Sequence, residues 1–183
     1  MPISAAVGSA ATTGAVVPIA SFTQTGPANT TFTNIPSVYQ DLYIHVSSNT
    51  QQAGSIADYL YMGFNGSVGP NYSITRLTGN GITLANDRTS NGDGLYVGIR
   101  PAFVSNLYGG MVIHVLNYAN TFAFKNVLTL ASSTESVSVG TVQLTSGTWR
   151  SNSAITSILF GGTGNFPGTG TTFTLYGVRS VGQ

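Results

Sequence analysis

From Val16 onward, apolar residues recur at every second position in short runs, and no stretch switches to a helical period. Val17 and Ile19 open the pattern beside Pro18, which suits an edge or the start of a strand. Leu42, Ile44 and Val46 then share one face with Tyr43 and His45 on the other, and Leu60, Met62 and Phe64 share a face with Tyr59 and Tyr61 opposite. Shorter strands are predicted at Tyr72 to Leu77, at Leu95 to Ile99 and through Phe122 to Ala131. Met111 to Tyr118 is apolar on both phases, which predicts a central strand covered on both sides. The phase switches between Val137–Val139 and Val142–Leu144, so a bulge or bend is expected at Gly140. The last segment, Gly147 to Val178, reads as two strands: one through Ala154 to Phe160, a glycine turn at Gly161 to Gly164, and one at Thr172 to Val178 that closes a terminal hairpin.

Turn chemistry punctuates these runs. Asn65-Gly66, Gly69-Pro70-Asn71 and Gly79-Asn80-Gly81 supply residues that tolerate the left-handed backbone. Thr83 to Gly94 is polar and is expected to be the longest loop of the domain. Nine or ten strands at hairpin spacing predict an all-β chain, an antiparallel β-sandwich with a jelly roll as its specific form and a Greek-key barrel as the alternative. Residues 1–15, small and uncharged, form an expected N-terminal arm ahead of a β-sandwich domain at 16–183.

Charge changes the picture. Only 6% of the 183 residues are charged, with a net charge of +1, against roughly a quarter in an average soluble domain. A surface so poor in charge favours association, so the chain is expected to live in an assembly, as a homo-oligomer or beside other subunits. The arginines are scattered, which argues against a nucleic-acid partner. No apolar run is long enough to span a bilayer, so no membrane partner is expected. There is no cysteine, hence no disulfide framework or thiolate metal site.

Candidate chemistry is sparse. His45 and His114 are the available imidazoles; His114, mid-strand, reads as a hydrogen-bonded structural residue and His45 as an exposed or interface residue. Asp41 and Asp58 each begin a strand, where a turn or edge role suffices. Asp87 to Asp93 offers oxygen ligands at alternate spacing, as a calcium loop does, but also the Asn-Gly and Asp-Gly pairs of a plain turn. Gly161-Gly162-x-Gly164 follows a strand but opens no helix, so no phosphate cradle is expected. No catalytic residue, cofactor or metal is assigned. Tyr43, Tyr59 and Tyr61 are the candidate site residues, either packing in an oligomer interface or stacking on sugars.

Phe32-x-Asn34-Ile35-Pro36 with Tyr39-x-Asp41-Leu42, Phe64-Asn65-Gly66, Leu77-x-Gly79-Asn80-Gly81 and Asn117-Tyr118-Ala119-Asn120-Thr121 occur in that order. Gly147-Thr148-Trp149-Arg150, Ala154-Ile155-x-x-Ile158 and Phe173-x-Leu175-Tyr176-Gly177 close the series. With these motifs the chain resembles small virion structural proteins of tailed bacteriophages of marine bacteria and cyanobacteria, over approximately residues 17 to 178. The resemblance implies a non-enzymatic virion component: a capsid decoration protein, or a tail, fibre or baseplate protein, with other virion proteins as partners. A host surface glycan is the alternative partner.

Overall fold

The computed structural model describes residues 15–49, 57–101, 107–136, 139–161 and 166–180. Twelve strands and no helix are found among them. In chain order these are β1 (Val16–Thr23), β2 (Thr30–Phe32), β3 (Asp41–Ser48), β4 (Ala57–Phe64), β5 (Tyr72–Gly79), β6 (Leu84–Gly92), β7 (Leu95–Pro101), β8 (Gly109–Leu116), β9 (Lys125–Ser136), β10 (Val139–Trp149), β11 (Ile158–Gly161) and β12 (Thr172–Val178). They form two antiparallel sheets, an eight-stranded one in the order β1-β12-β3-β8-β9-β10-β5-β6 and a four-stranded one in the order β2-β11-β4-β7. Together they make a β-sandwich. The expected arm lies outside the described residues except for Ala15, whose carbonyl accepts the Arg179 amide at 2.9 Å.

The period-two pattern places the core where it was expected on β3, β4 and β12. Leu42, Ile44, Leu60, Met62, Phe64, Phe173 and Leu175 are all fully buried in one cluster. The sheets meet through rings: Phe160 on β11 stacks on Phe173 of β12 at 4.8 Å between centroids. They approach closely enough at β7 that a Cβ on Gly98 would lie 2.6 Å from Met111 Sδ and 2.9 Å from Ala131 Cβ. Pro18 sits on edge strand β1, where a missing N–H costs no ladder bond, and the pairing register shifts beside it.

Five expectations are corrected. Thr83 to Gly94 is mostly a strand, β6, paired with β5, because Gly79-Asn80-Gly81 turns the chain back and Asn80 Oδ1 accepts the Ile82 and Thr83 amides. The terminal hairpin is absent: β11 pairs with β2 and β4, while β12 pairs with β1 and β3, so the two strands face each other across the core instead of sharing a ladder. Residues before Ile158 are not strand, since Asn65 captures them, as described below. Residues 162–165 of the glycine turn lie outside the described residues. Phe122 to Phe124 precede β9 in a turn, with Phe122 exposed. Finally, β8 is covered on one side only, with Met111, Ile113 and Val115 buried and Val112 outward. The expected irregularity near Gly140 is present as a register shift between Val139 and Gly140.

Three non-glycine residues have positive φ among the described residues: Asn34 (55°), Asn65 (52°) and Asn117 (48°). Asparagine is the usual exception to glycine in this region because its short amide can bond locally. All three lie at one knot of crossovers. Asn65 Oδ1 accepts the Thr156 and Ser157 amides at 2.8 and 3.0 Å, and its Nδ2 donates to the Ala154 carbonyl. The Ile155 amide donates to Tyr118 O, the Ile35 amide to Thr156 O, and the Tyr118 hydroxyl to Pro36 O. These bonds pair backbone groups of residues 154–157 as the chain leaves one sheet for the other.

Replacing Phe173 with alanine is expected to cost about 3–5 kcal/mol of stability, and Asn65→Ala about 1–3 kcal/mol through the lost side-chain hydrogen bonds and the strain of alanine at positive φ. Asn65→Gly loses the same hydrogen bonds but accepts the left-handed φ without strain, so it should lie below wild type and about 1 kcal/mol above Asn65→Ala. Urea unfolding of the three variants checks this order.

Candidate functional site: an outward apolar face and a tyrosine cluster

Trp149 ends β10 with its ring inward, 5.5 Å from Phe64 and stacked on Tyr72 at 6.3 Å, with Nε1 donating to Ser67 Oγ. Because side chains alternate along a strand, this anchor turns Gly147, Thr145, Gln143 and Thr141 inward as well. Trp149 pairs with Lys125, so β9 takes the matching phase and buries Lys125, Val127, Thr129, Ala131 and Ser133. Lys125 Nζ donates to the carbonyls of Ala123 (2.7 Å) and Asn152, and burial lowers the pKa of its ammonium.

The hairpin is therefore inverted. Gln143 and Thr129 are enclosed, and Gln143 Nε2 donates to Thr145 Oγ1 at 2.7 Å. Outward stand Leu128 (47% exposed), Leu130 (57%), Val142 (55%) and Leu144 (42%). The registers extend this into a row, since Val112 on β8 opposes Leu130, Leu130 opposes Leu144, and Leu144 opposes Leu77 on β5. Beside it Gly110 opposes Ser132, and the missing side chain leaves an open groove of about 440 Å³ lined by His45, Val112, Leu130, Ser132 and Val142.

The candidate tyrosines do not gather in one place. Tyr43 is on β3 in the large sheet, stacked on His114 at 4.3 Å with rings 14° apart. Tyr59 and Tyr61 lie on β4, on the outward side of the small sheet, where Tyr96 of β7 joins them with ring centroids 6.0 and 6.1 Å away. Over this group lies Arg76, its guanidinium carbon 4.3 Å from the Tyr59 centroid and 5.7 Å from that of Tyr96. Arg76 comes from the inward phase of β5, so the large sheet curls past edge strand β7 to reach the outer side of the small one. Asp87, opposite it on β6, takes a forked pair of bonds from Arg76, with Nε to Oδ1 at 2.8 Å. That pairing holds the Asp87 carboxyl below its ordinary range and raises the guanidinium. Tyr61 donates to the Asp93 carbonyl at 2.5 Å, and burial, helped by Asp93, pushes its phenol up to about 12.

The remaining acids are bound up separately. Asp41 joins His114 Nε2 at 3.0 Å and accepts the Asn117 amide at 2.7 Å, which makes His114 the hydrogen-bonded strand histidine expected of it. His45 tilts against Tyr176 at 5.2 Å. Asp58 pairs with the buried Arg100 at 2.6 Å, and burial lowers that guanidinium. Asp87 and Asp93 do not form a calcium loop, because Asp87 is in the middle of β6 and committed to Arg76 while Asp93 lies in the turn beyond it. Among the described residues no cluster of three or more His, Asp or Glu could hold a metal. Comparison of the chain with protein-family models, with curated proteins and with solved structures finds no match.

Sequence reading missed Tyr96, Arg76 and the apolar row. The double-phase apolarity of Met111 to Tyr118 was the available signal for the row.

Two pH effects follow. Asp87, depressed when folded, contributes stability above its ordinary pKa of 3.8 that is lost as pH falls through the folded value. Asp87→Asn should therefore flatten the acid side of a plot of melting temperature against pH. Tyr61, raised when folded, favours the folded state until pH exceeds its ordinary 10.0, and this stability falls as pH rises toward about 12. Tyr61→Phe should remove the highest-pH step from the phenolate absorbance titration.

Proposed function

We propose that this protein is a non-catalytic structural subunit of a tailed-phage particle that assembles through the outward face of its eight-stranded sheet. The observation that carries the reading is the inverted β9–β10 hairpin, with Thr129 and Gln143 inside and Leu128, Leu130, Val142 and Leu144 outside. An exposed apolar row of this kind on a chain with 6% charged residues is a surface made to be covered. The strand order supports the phage reading. With β5–β6 and β9–β10 set aside as inserted hairpins, the two sheets become β1-β12-β3-β8 and β2-β11-β4-β7, which we read as a jelly roll. The three asparagine turns and the Trp149 anchor fall within the motifs on which the resemblance to virion proteins rests. Antibody labelling of purified particles should find the protein on the outer surface of the head or the tail; detection only in unassembled lysate would sink the reading.

A second reading has its own observation. Tyr59 and Tyr96 are each 37% exposed on the outward side of the small sheet and are backed by Arg76, which Asp87 holds in place, so the rings form a fixed, partly exposed aromatic platform of the kind that packs against a sugar. Tyr59→Ala and Tyr96→Ala are each expected to weaken binding to host surface polysaccharide about tenfold if this reading holds. A glycan array and surface titrations measure it, and an intact protein that binds no polysaccharide rejects it.

A further inference from the structure

We propose that the occupant of the outward face is a second copy of this chain, related by a two-fold axis that seats the Leu130–Leu144 ridge of each copy in the Gly110 groove of the other. This rests on the reading of that face as an assembly surface and names its partner. Three features favour a copy over a different protein.

The first is charge. At the centre of the face, Val112, Leu128, Leu130, Val142 and Leu144 are interspersed with Gly110, Ser132 and Ser146, none of them titratable. Among the described residues, charge enters at the margins, with His45, His114 and its partner Asp41 toward β3 and Arg88 opposite Thr75 on edge strand β6. A copy turned through a half-rotation about the centre therefore brings no like charges together, and a charged partner would gain nothing there.

The second is shape. A self-complementary patch needs a projection and a recess side by side, and the registers supply them on neighbouring rows. Leu130 and Leu144 stand in one row, while Gly110 leaves the next one open beside Ser132. Two sheets packed face to face sit about 10 Å apart, which is the reach of interleaved leucines.

The third is area. The outward Val112, Leu128, Leu130, Val142, Leu144, Leu77 and Leu84 expose on the order of 600 Å² of apolar side chain, most of the roughly 800 Å² per partner in a stable interface. The same patch is as large as the biggest apolar patches carried by ordinary monomers, and here it lies on one continuous sheet.

The experiment uses the full chain, which has no cysteine. Sedimentation velocity should give a dimer, and Leu130→Asp should weaken it at least about tenfold without changing the circular dichroism, because Leu130 is outside the core. A single Ser132→Cys substitution at the edge of the groove should form a disulfide-linked dimer under mild oxidation, while Val68→Cys, exposed in the β4–β5 turn, should not; this arm stands even if Leu130→Asp fails to fold. The proposal is overturned by a wild-type monomer at the highest soluble concentration, by a dimer indifferent to Leu130→Asp, or by linkage through Val68→Cys in preference to Ser132→Cys. Should the monomer still enter particles and Leu130→Asp block its entry, the face keeps its assembly role and its occupant is another virion protein.

Discussion

The burial of Trp149 sets the phase of the β9–β10 hairpin, and through it the chemistry of a whole face. A strand cannot turn one residue inward without turning every second one with it. Trp149 against Phe64 and Tyr72 therefore carries Thr145, Gln143 and Thr141 into the interior, and its partner Lys125 carries Thr129 and Ser133. A slip of one residue on β10 would enclose Leu144 and Val142 but would expel the indole. Burying the indole is worth on the order of 5 kcal/mol, more than the burial still to be gained by Leu144 and Val142, which are already about half covered, so the tryptophan sets the phase and the aliphatic chains are left outside. An assembly that covered the outward face would let the hairpin bury both sides.

The inequality of the sheets poses a separate demand, on the inner face of the larger one. Four strands cannot roof eight, so the strands beyond β8 need other cover. Part of it comes from curling: β5 bends past β7 until Arg76 lies over Tyr59 and Tyr96, and Asp87 holds it there. Part comes from β7 itself, where Leu95 approaches Gly147 and Gly98 lets Met111 and Ala131 close in. Neither device touches the opposite, outer side of β8, β9, β10 and β5, where the apolar row runs.

Periodicity disclosed much of this arrangement and concealed some of it for a physical reason. On β3, β4 and β12 the apolar phase is the buried phase, so Leu42, Leu60 and Phe173 could be placed inward from their spacing. The asparagine-glycine turn at Asn65 was visible, but its side chain's capture of residues 154–157 was not, because that contact spans some ninety positions. Thr83 to Gly94 looked like a loop since β6 is polar on both phases, and a strand at the edge of a curled sheet needs no apolar face. Tyr43 could not be separated from Tyr59 and Tyr61, because assignment to one sheet or the other is decided by crossovers that leave no local mark. On β9 and β10 hydrophobicity alone points the wrong way; the phase is set by one indole at the end of the hairpin.

The two candidate surfaces are compatible because of the same alternation. Arg76 and Leu77 are consecutive on β5, and period two sends them to opposite sides: Leu77 into the apolar row, Arg76 over the tyrosine cluster. A partner seated on the row thus lies behind the strand that positions the arginine and leaves Tyr59 and Tyr96 open. The β5–β6 hairpin, held along the length of β5 by β10 and closed by the Asn80 turn, would be stiffened by anything that covers Leu77. Assembly through the large sheet would then fix Arg76 over the rings and order the very surface that a ligand on the particle's exterior would meet.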